Sequence, residues 1–288
     1  MAKMKLLADS SFDMPKELIE SCNIDVVPLT VIADDKEYMD YYDLSPEDFL
    51  NLLYTSKELP RTAQVNPQEF LTHFEKWQDD YDDILVVTLS SNGSGTYNSA
   101  VMAKKEYEQK EHRAKIHLID SLCCSIGVAL VAFTTDKLMQ LGLGAEEIAK
   151  KMREKVNYLG SYLIPETLEY LRKGGRVNTV TAVLGSMLDI RPIISVVEGW
   201  GRNVGKVRGE KNVEAKLLDI FKEKRDDSEK DVFISHCGAG ERAKSLKEKL
   251  LEIDEKLKIV VGHMGGTMTI HAGPGTLGLF FYEKDRRW

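Results

Sequence analysis

At 288 residues the chain is long for one domain and suits two, each able to bury a core without disulfides or a structural metal. Its 43% hydrophobic and 30% charged residues exclude a disordered chain, and 39 Lys+Arg against 46 Asp+Glu, a net charge of −7, argues against nucleic acid as the partner. Four cysteines (Cys22, Cys123, Cys124 and Cys237) form no CxxC pair and are too few for a secreted disulfide scaffold, so they read as packing residues of a cytoplasmic protein.

The first half alternates strand-like and helix-like patterns. Residues 4–8 read as a strand ending at Asp9, Pro15 opens a helix to residue 20, and 24–32 reads as a second strand. Ser45-Pro46-Glu47-Asp48 and Asn66-Pro67-Gln68-Glu69 are helix starts, each a capping residue followed by proline and an acidic first turn. Residues 84–88 form a buried strand, 96–109 a helix, 116–119 a strand, 125–140 an apolar helix and 145–157 an amphipathic helix. The apolar run 126–133 is far shorter than the ~20 residues that span a bilayer, and no targeting segment is evident at the N-terminus, so no stable membrane insertion is expected. Strands alternating with helices predict a parallel sheet covered on both faces.

The second half reads differently. Strands are expected at 161–164, 191–197, 232–235, 257–261 and 277–283, with a hairpin arm at 203–208. Helices are expected at 166–172, 212–224 and 241–251. The predicted fold is α/β with two domains: an α/β/α parallel-sheet domain over 1–160 and a mixed-sheet α/β domain over 161–288.

Four polar segments carry the candidate chemistry. Residues 90–100 (SSNGSGTYNSA) follow a buried strand and precede a helix, where backbone N–H groups and the helix N-terminus favour an anion beside Ser94 and the Gly95 backbone. The P-loop, the dinucleotide fingerprint and GxSxG are all absent, which points to a simple anion. Residues 61–67 (RTAQVNP) offer the Thr62 hydroxyl, whose plainer role is a turn hydrogen bond. Residues 262–275 (GHMGGTMTIHAGPG) read as a loop that offers His271. Its two histidines stand eight apart with no carboxylate or cysteine among them, so no metal is expected. Basic residues gather at Arg172, Lys173 and Arg176, and again at Arg202, Lys206 and Arg208, where solvation is the commonest outcome.

In this order and spacing the motifs resemble the DegV family of bacterial fatty-acid-binding proteins. Residues 7–15 (LADSSFDMP) are similar to its TDSxxDxP opening, 61–64 (RTAQ) to TSQP, and 90–100 to SSxLSGTYxSA. Asp120-Ser121, 168–177 (LEYLRKGGRV), 190–194 (IRPII) and 271–275 (HAGPG) continue the likeness to the end of the chain. Ala63, Val65 and Gly93 depart from the pattern at the first loop and at the turn before Ser94.

The resemblance implies a binding protein of the FakB type, not an enzyme. One long-chain fatty acid lies between the domains, its acyl tunnel placed in the second, with the carboxylate on Thr62, Ser94, Gly95 and His271. Arg208 stands near the head group and Arg176 docks a separate ATP-dependent fatty-acid kinase, which makes acyl-phosphate for phospholipid synthesis. No cofactor is implied. The residues alone leave two other readings: a serine hydrolase or acyltransferase with Ser94 as nucleophile, His271 as base and Asp9 as orienter, or a module that reads a small anion.

Overall fold

A computed structural model describes residues 2–176 and 189–287. The first part of the chain runs β1 (Met4–Asp9), α1 (Lys16–Ser21), β2 (Ile24–Val27), β3 (Thr30–Ala33), β4 (Lys36–Met39), α2 (Pro46–Thr55) and β5 (Arg61–Ala63). It continues through α3 (Pro67–Trp77), β6 (Asp83–Thr88), α4 (Thr96–Tyr107), β7 (Lys115–Asp120), α5 (Ile126–Gln140) and α6 (Ala145–Lys155). There follow β8 (Leu159–Ile164), α7 (Glu169–Lys173), β9 (Ile190–Val197), β10 (Trp200–Arg208) and α8 (Val213–Lys224). The chain closes with β11 (Asp231–His236), α9 (Gly240–Ile253), β12 (Lys258–His263), α10 (Gly266–Ala272) and β13 (Leu277–Tyr282).

Uninterrupted apolar runs become strands buried on both faces. Ile84–Val87 of β6 is wholly buried at the centre of a parallel four-stranded sheet ordered β2-β1-β6-β7, with Leu6 opposite Leu85 and Val87 opposite Ile119. Helices α3 and α4 cover one face around Phe70, Phe74 and Tyr107, while α1, α5 and α6 cover the other. The caps behave as their residues dictate. Ser45 and Asp48 form a reciprocal capping box at α2, and Asn66 accepts the Glu69 N–H at 2.9 Å to start α3.

The second domain is a mixed six-stranded sheet ordered β10-β9-β8-β13-β11-β12, with α8 and α9 packed over Phe221, Leu246 and Phe281. Helix α5 is apolar around most of its circumference because it serves two cores. It packs on β1 and β6 of one sheet and on β11 and β13 of the other. Leu85, Leu130, Phe233 and Phe280 therefore belong to one continuous cluster. Among the described residues, no helix is long and apolar enough to cross a membrane.

Four expectations change. The strand expected at 24–32 breaks at Pro28, which has no N–H for a ladder, and its second half turns into a separate three-stranded sheet ordered β4-β3-β5. Residues 61–63, read as a loop, are the edge strand β5 of that sheet. His271, read as a loop residue, lies in the last turn of α10. The hairpin β9–β10 turns at Glu198 and Gly199, both at positive φ (51° and 75°), so β10 begins at Trp200. Val177, at the end of the motif 168–177, lies outside the described residues.

Because one cluster spans both sheets, Phe280→Ala should lower stability by about 3–5 kcal/mol without separating the transitions of the two domains. Urea unfolding followed by tryptophan fluorescence and far-UV circular dichroism tests this, and two resolved transitions in the wild type would contradict the shared core.

Candidate functional site

The small sheet and α10 bring residues 62 and 271 together. Thr62 pairs with Val31 across β3 and β5, and its Oγ1 lies 2.8 Å from His271 Nε2. The other nitrogen of that ring, Nδ1, is buried and has no hydrogen-bond partner among the described residues. It packs against Gly174, where a Cβ would come within 2.4 Å of Nδ1. The two glycine-rich segments that carry Gly174 and His271 thus interlock through this imidazole. Tyr170 fills the space beside Gly273 in the same way, since a Cβ there would fall 2.2 Å from its ring.

The Ser94 segment is a tight turn into a helix. The N–H groups of Gly93 and Ser94 both donate to the Ser90 carbonyl, at 2.9 and 3.1 Å. Ser94 Oγ accepts the Thr96 N–H at 3.2 Å and lies 3.0 Å from Thr96 Oγ1, while Gly95 opens α4. The Gln64 amide packs on Gly95, where a Cβ would sit 1.9 Å from Gln64 Oε1 and displace that amide. The helix N-terminus adds a partial positive charge of about one half beside these hydroxyls.

Thr62, Ser94, Gly95 and His271 all line one cavity of about 550 Å³, within the usual range of ligand pockets. Its apolar wall comes from both domains: Leu89, Cys123 and Cys124 from the first, Leu163, Ile194 and Val196 from the second. The tunnel assigned to the second domain is therefore shared, because α5 and its preceding loop lie between the sheets. Burial pushes the Cys123 thiol up to about 11, so it contributes apolar surface and not a thiolate. The β9–β10 turn closes over one side. Ser90 Oγ donates to the Gly199 carbonyl and Asn92 Nδ2 to the Glu198 carbonyl, each at 2.8 Å.

The electrostatics favour an anion that meets neutral donors. Desolvation, and secondarily the Arg176 charge, push His271 down to about 4, so its imidazole is neutral at pH 7. Arg176 lines the mouth of the cavity and folds its guanidinium onto the Gly174 carbonyl at 2.7 Å. Arg208, expected near the head group, is exposed at the far end of β10 and does not line the cavity. The triad of the hydrolase reading is not assembled. His271 engages Thr62, and Asp9 is committed to Ser11 Oγ (2.5 Å) and the Leu89 N–H (2.6 Å). Among the described residues, no group of three or more His, Cys, Asp or Glu side chains could hold a metal.

Sequence reasoning missed Asp13 and Asp40. Both are buried, and both accept hydrogen bonds from the first amides of α10. Asp13 falls within the opening motif, 7–15, but Asp40 sits in an acidic stretch with no distinguishing spacing.

Comparison with known proteins is consistent with this architecture. A family description, "Uncharacterised protein, DegV family", matches residues 3–284. A fatty acid-binding protein of Thermotoga maritima is 31% identical over 296 residues, covering 99% of each chain. A DegV family protein of Ruminococcus gnavus, solved with vaccenic acid, is 27% identical with a TM-score of 0.87, covering 97% of this chain and 99% of that one. The Streptococcus pneumoniae Fatty Acid Kinase (Fak) B3 protein, loaded with linoleic acid, shares the fold at 23% identity and a TM-score of 0.83, covering 98% of this chain and 100% of its own. The chain belongs to the DegV family.

Proposed function

We propose that this protein binds one long-chain fatty acid between its domains, 1–160 and 161–288, and presents the carboxylate to a separate ATP-dependent fatty-acid kinase. The product would be an acyl-phosphate for phospholipid synthesis in the cytoplasm. The observation that carries the reading is that the Thr62–His271 pair, Ser94 and Gly95 line one cavity whose remaining wall is largely apolar. Each methylene buried there contributes about 0.8 kcal/mol, and a buried carboxylate is costly unless it is hydrogen-bonded.

The neutral imidazole sets the direction of the hydrogen bonds. We assign the Nε2–H tautomer, because a proton on Nδ1 would be a buried donor without an acceptor. Nε2–H then donates to Thr62 Oγ1, leaving the Thr62 hydroxyl proton free for a carboxylate oxygen. Ser94 and Gly95 line the same cavity and would complete the donor set through the Ser94 hydroxyl and the Gly95 amide. Arg176 at the mouth, with Arg172 and Lys173 beside it in the chain, supplies positive charge where a kinase would bring phosphate. Arg208, held at the end of β10, is left to the outer surface.

Native mass spectrometry of the purified protein should find one fatty acid per chain, and a protein that stays empty when offered long-chain acids would overturn the proposal. Ser94→Ala and Thr62→Val should each weaken binding by about 1.5–3 kcal/mol, roughly 10- to 150-fold, through loss of one charge-assisted hydrogen bond. Competition against a fluorescent fatty acid measures this; unchanged affinity in both variants would remove these residues from the site. Arg176→Ala should reduce kinase-coupled phosphorylation more than it reduces fatty-acid affinity, and equal losses would reject its outward role.

The depressed His271 value gives a signed pH dependence for the ligand-free protein. The unfolded chain takes up the proton near 6.5 and the folded chain only near 4, so stability from this group is intact above 6.5 and falls as pH drops toward 4. The loss is about 3 kcal/mol across that window. Urea unfolding at a series of pH values should show this slope in the wild type relative to His271→Gln, and parallel curves would place the imidazole in water.

A further inference from the structure

Helix α10 is held at both ends by the small sheet β4-β3-β5. At its C-terminal end, Thr62 of β5 meets His271. At its N-terminal end stands Asp40, the residue that follows β4. Asp40 accepts the Gly266 N–H on Oδ1 at 2.8 Å and the Thr267 N–H on Oδ2 at 3.1 Å. Asp13 accepts the preceding Gly265 N–H at 2.8 Å. The first amides of an α-helix have no intrahelical acceptor, and α10 has no side-chain cap of its own. Three consecutive donors are thus met by carboxylates from the other domain.

These carboxylates are themselves fixed. Ser10 Oγ donates to Asp40 at 3.2 Å while accepting the Leu29 N–H at 3.0 Å, and the Tyr41 N–H donates to Asp40 Oδ1 at 3.0 Å. Ser125 Oγ donates to Asp13 at 2.6 Å. Asp40 is 1% exposed and Asp13 6%, so neither reorients freely into water. At the C-terminal side Thr276 Oγ1 lies 2.8 and 2.9 Å from the carbonyl oxygens of Ala272 and Gly273, and Gly273 ends the helix at positive φ (78°).

We propose that Asp40, supported by Asp13, is a positioning residue for the carboxylate site: it fixes the rotation and axial position of α10 so that His271 Nε2 meets Thr62. A helix advances about 1.5 Å and turns about 100° per residue, whereas a hydrogen bond tolerates only a few tenths of an ångström. A small slide of α10 therefore breaks the Thr62–His271 contact before it disturbs the cavity wall. The inference rests on the fatty-acid reading and adds the residue that aligns its donor set.

Asp40→Asn keeps the shape of the side chain but turns one acceptor oxygen into an NH₂ group facing an N–H donor. Its affinity for palmitic acid and for hexadecanol, which lacks the carboxylate, is measured by competition against a fluorescent fatty acid. Palmitic acid binding should fall about tenfold or more while hexadecanol changes less than about twofold, and Asp40→Asn added to His271→Ala should cost no further affinity beyond about twofold. Ser10→Ala, which removes one hydrogen bond from Asp40 and leaves the charge, should show the same selectivity at smaller size and serves if Asp40→Asn does not fold. Equal losses for acid and alcohol, or additive losses in the double variant, would reduce Asp40 to a stabilising cap and overturn the inference. A wild type that binds neither ligand overturns the fatty-acid reading itself, whereas a wild type that binds palmitic acid as tightly as Asp40→Asn does overturns only this inference.

Discussion

A negative charge cannot be buried beside aliphatic side chains unless donors are already in place, and in the proposed site those donors would depend on the contact between Thr62 and His271. Neither residue is positioned by its neighbours in sequence. Thr62 stands on an edge strand of three residues, and His271 on the last turn of a helix of seven. Each element is too short to be stable alone, so tertiary contacts must supply what length does not. The small sheet does this by packing Val31 against Phe49 of α2 and Ile270 of α10, a separate apolar cluster beside the site.

The glycines in the motifs have a common physical role. Gly95 admits the Gln64 amide, Gly174 the His271 ring, Gly273 the Tyr170 ring and Gly275 the Glu166 carboxylate. Each is a place where a side chain from another segment lies against bare backbone, and at Gly174 and Gly273 a methyl group would overlap an aromatic ring. Gly262 extends the pattern to the domain contact, since a Cβ there would fall 2.1 Å from the Asp13 carbonyl oxygen. The motifs therefore encode contacts between segments at least as much as contacts with a ligand.

This explains which parts were legible in the sequence. The parallel sheet followed from the apolar runs at 84–88 and 116–119 and from the caps at Ser45 and Asn66, all local signals. Ser94 followed from its place after a buried strand. The three-stranded sheet did not, because β4 is largely exposed (Lys36, Glu37, Met39) and shows no alternation that marks a strand. The helix around His271 did not either, because its N-terminal acceptors, Asp40 and Asp13, are more than 220 positions away in the chain. A sequence window sees two glycines and no cap there, which is the signature of a loop. The cavity's shared wall was hidden for the same reason, since Cys123 and Ile194 come to line one cavity only once both sheets have formed.

The aspartates also make closure conditional. Burial raises Asp9 to about 6 and moves Asp13 and Asp40 upward as well, with the charge of Asp40 adding to the rise at both Asp9 and Asp13. Among the described residues none of the three is in an ion pair, so the compensation for their charge comes from hydroxyls and backbone amides. A raised carboxyl value means that the assembled interface retains protons that a water-exposed one releases, so ionisation of these groups works against assembly. The α10 amides oppose that cost only when the helix sits in register, because a displaced helix leaves buried carboxylates with fewer donors. Buried charge adds little to stability here, but it penalises the misaligned arrangement more than the aligned one, and that difference places His271 against Thr62.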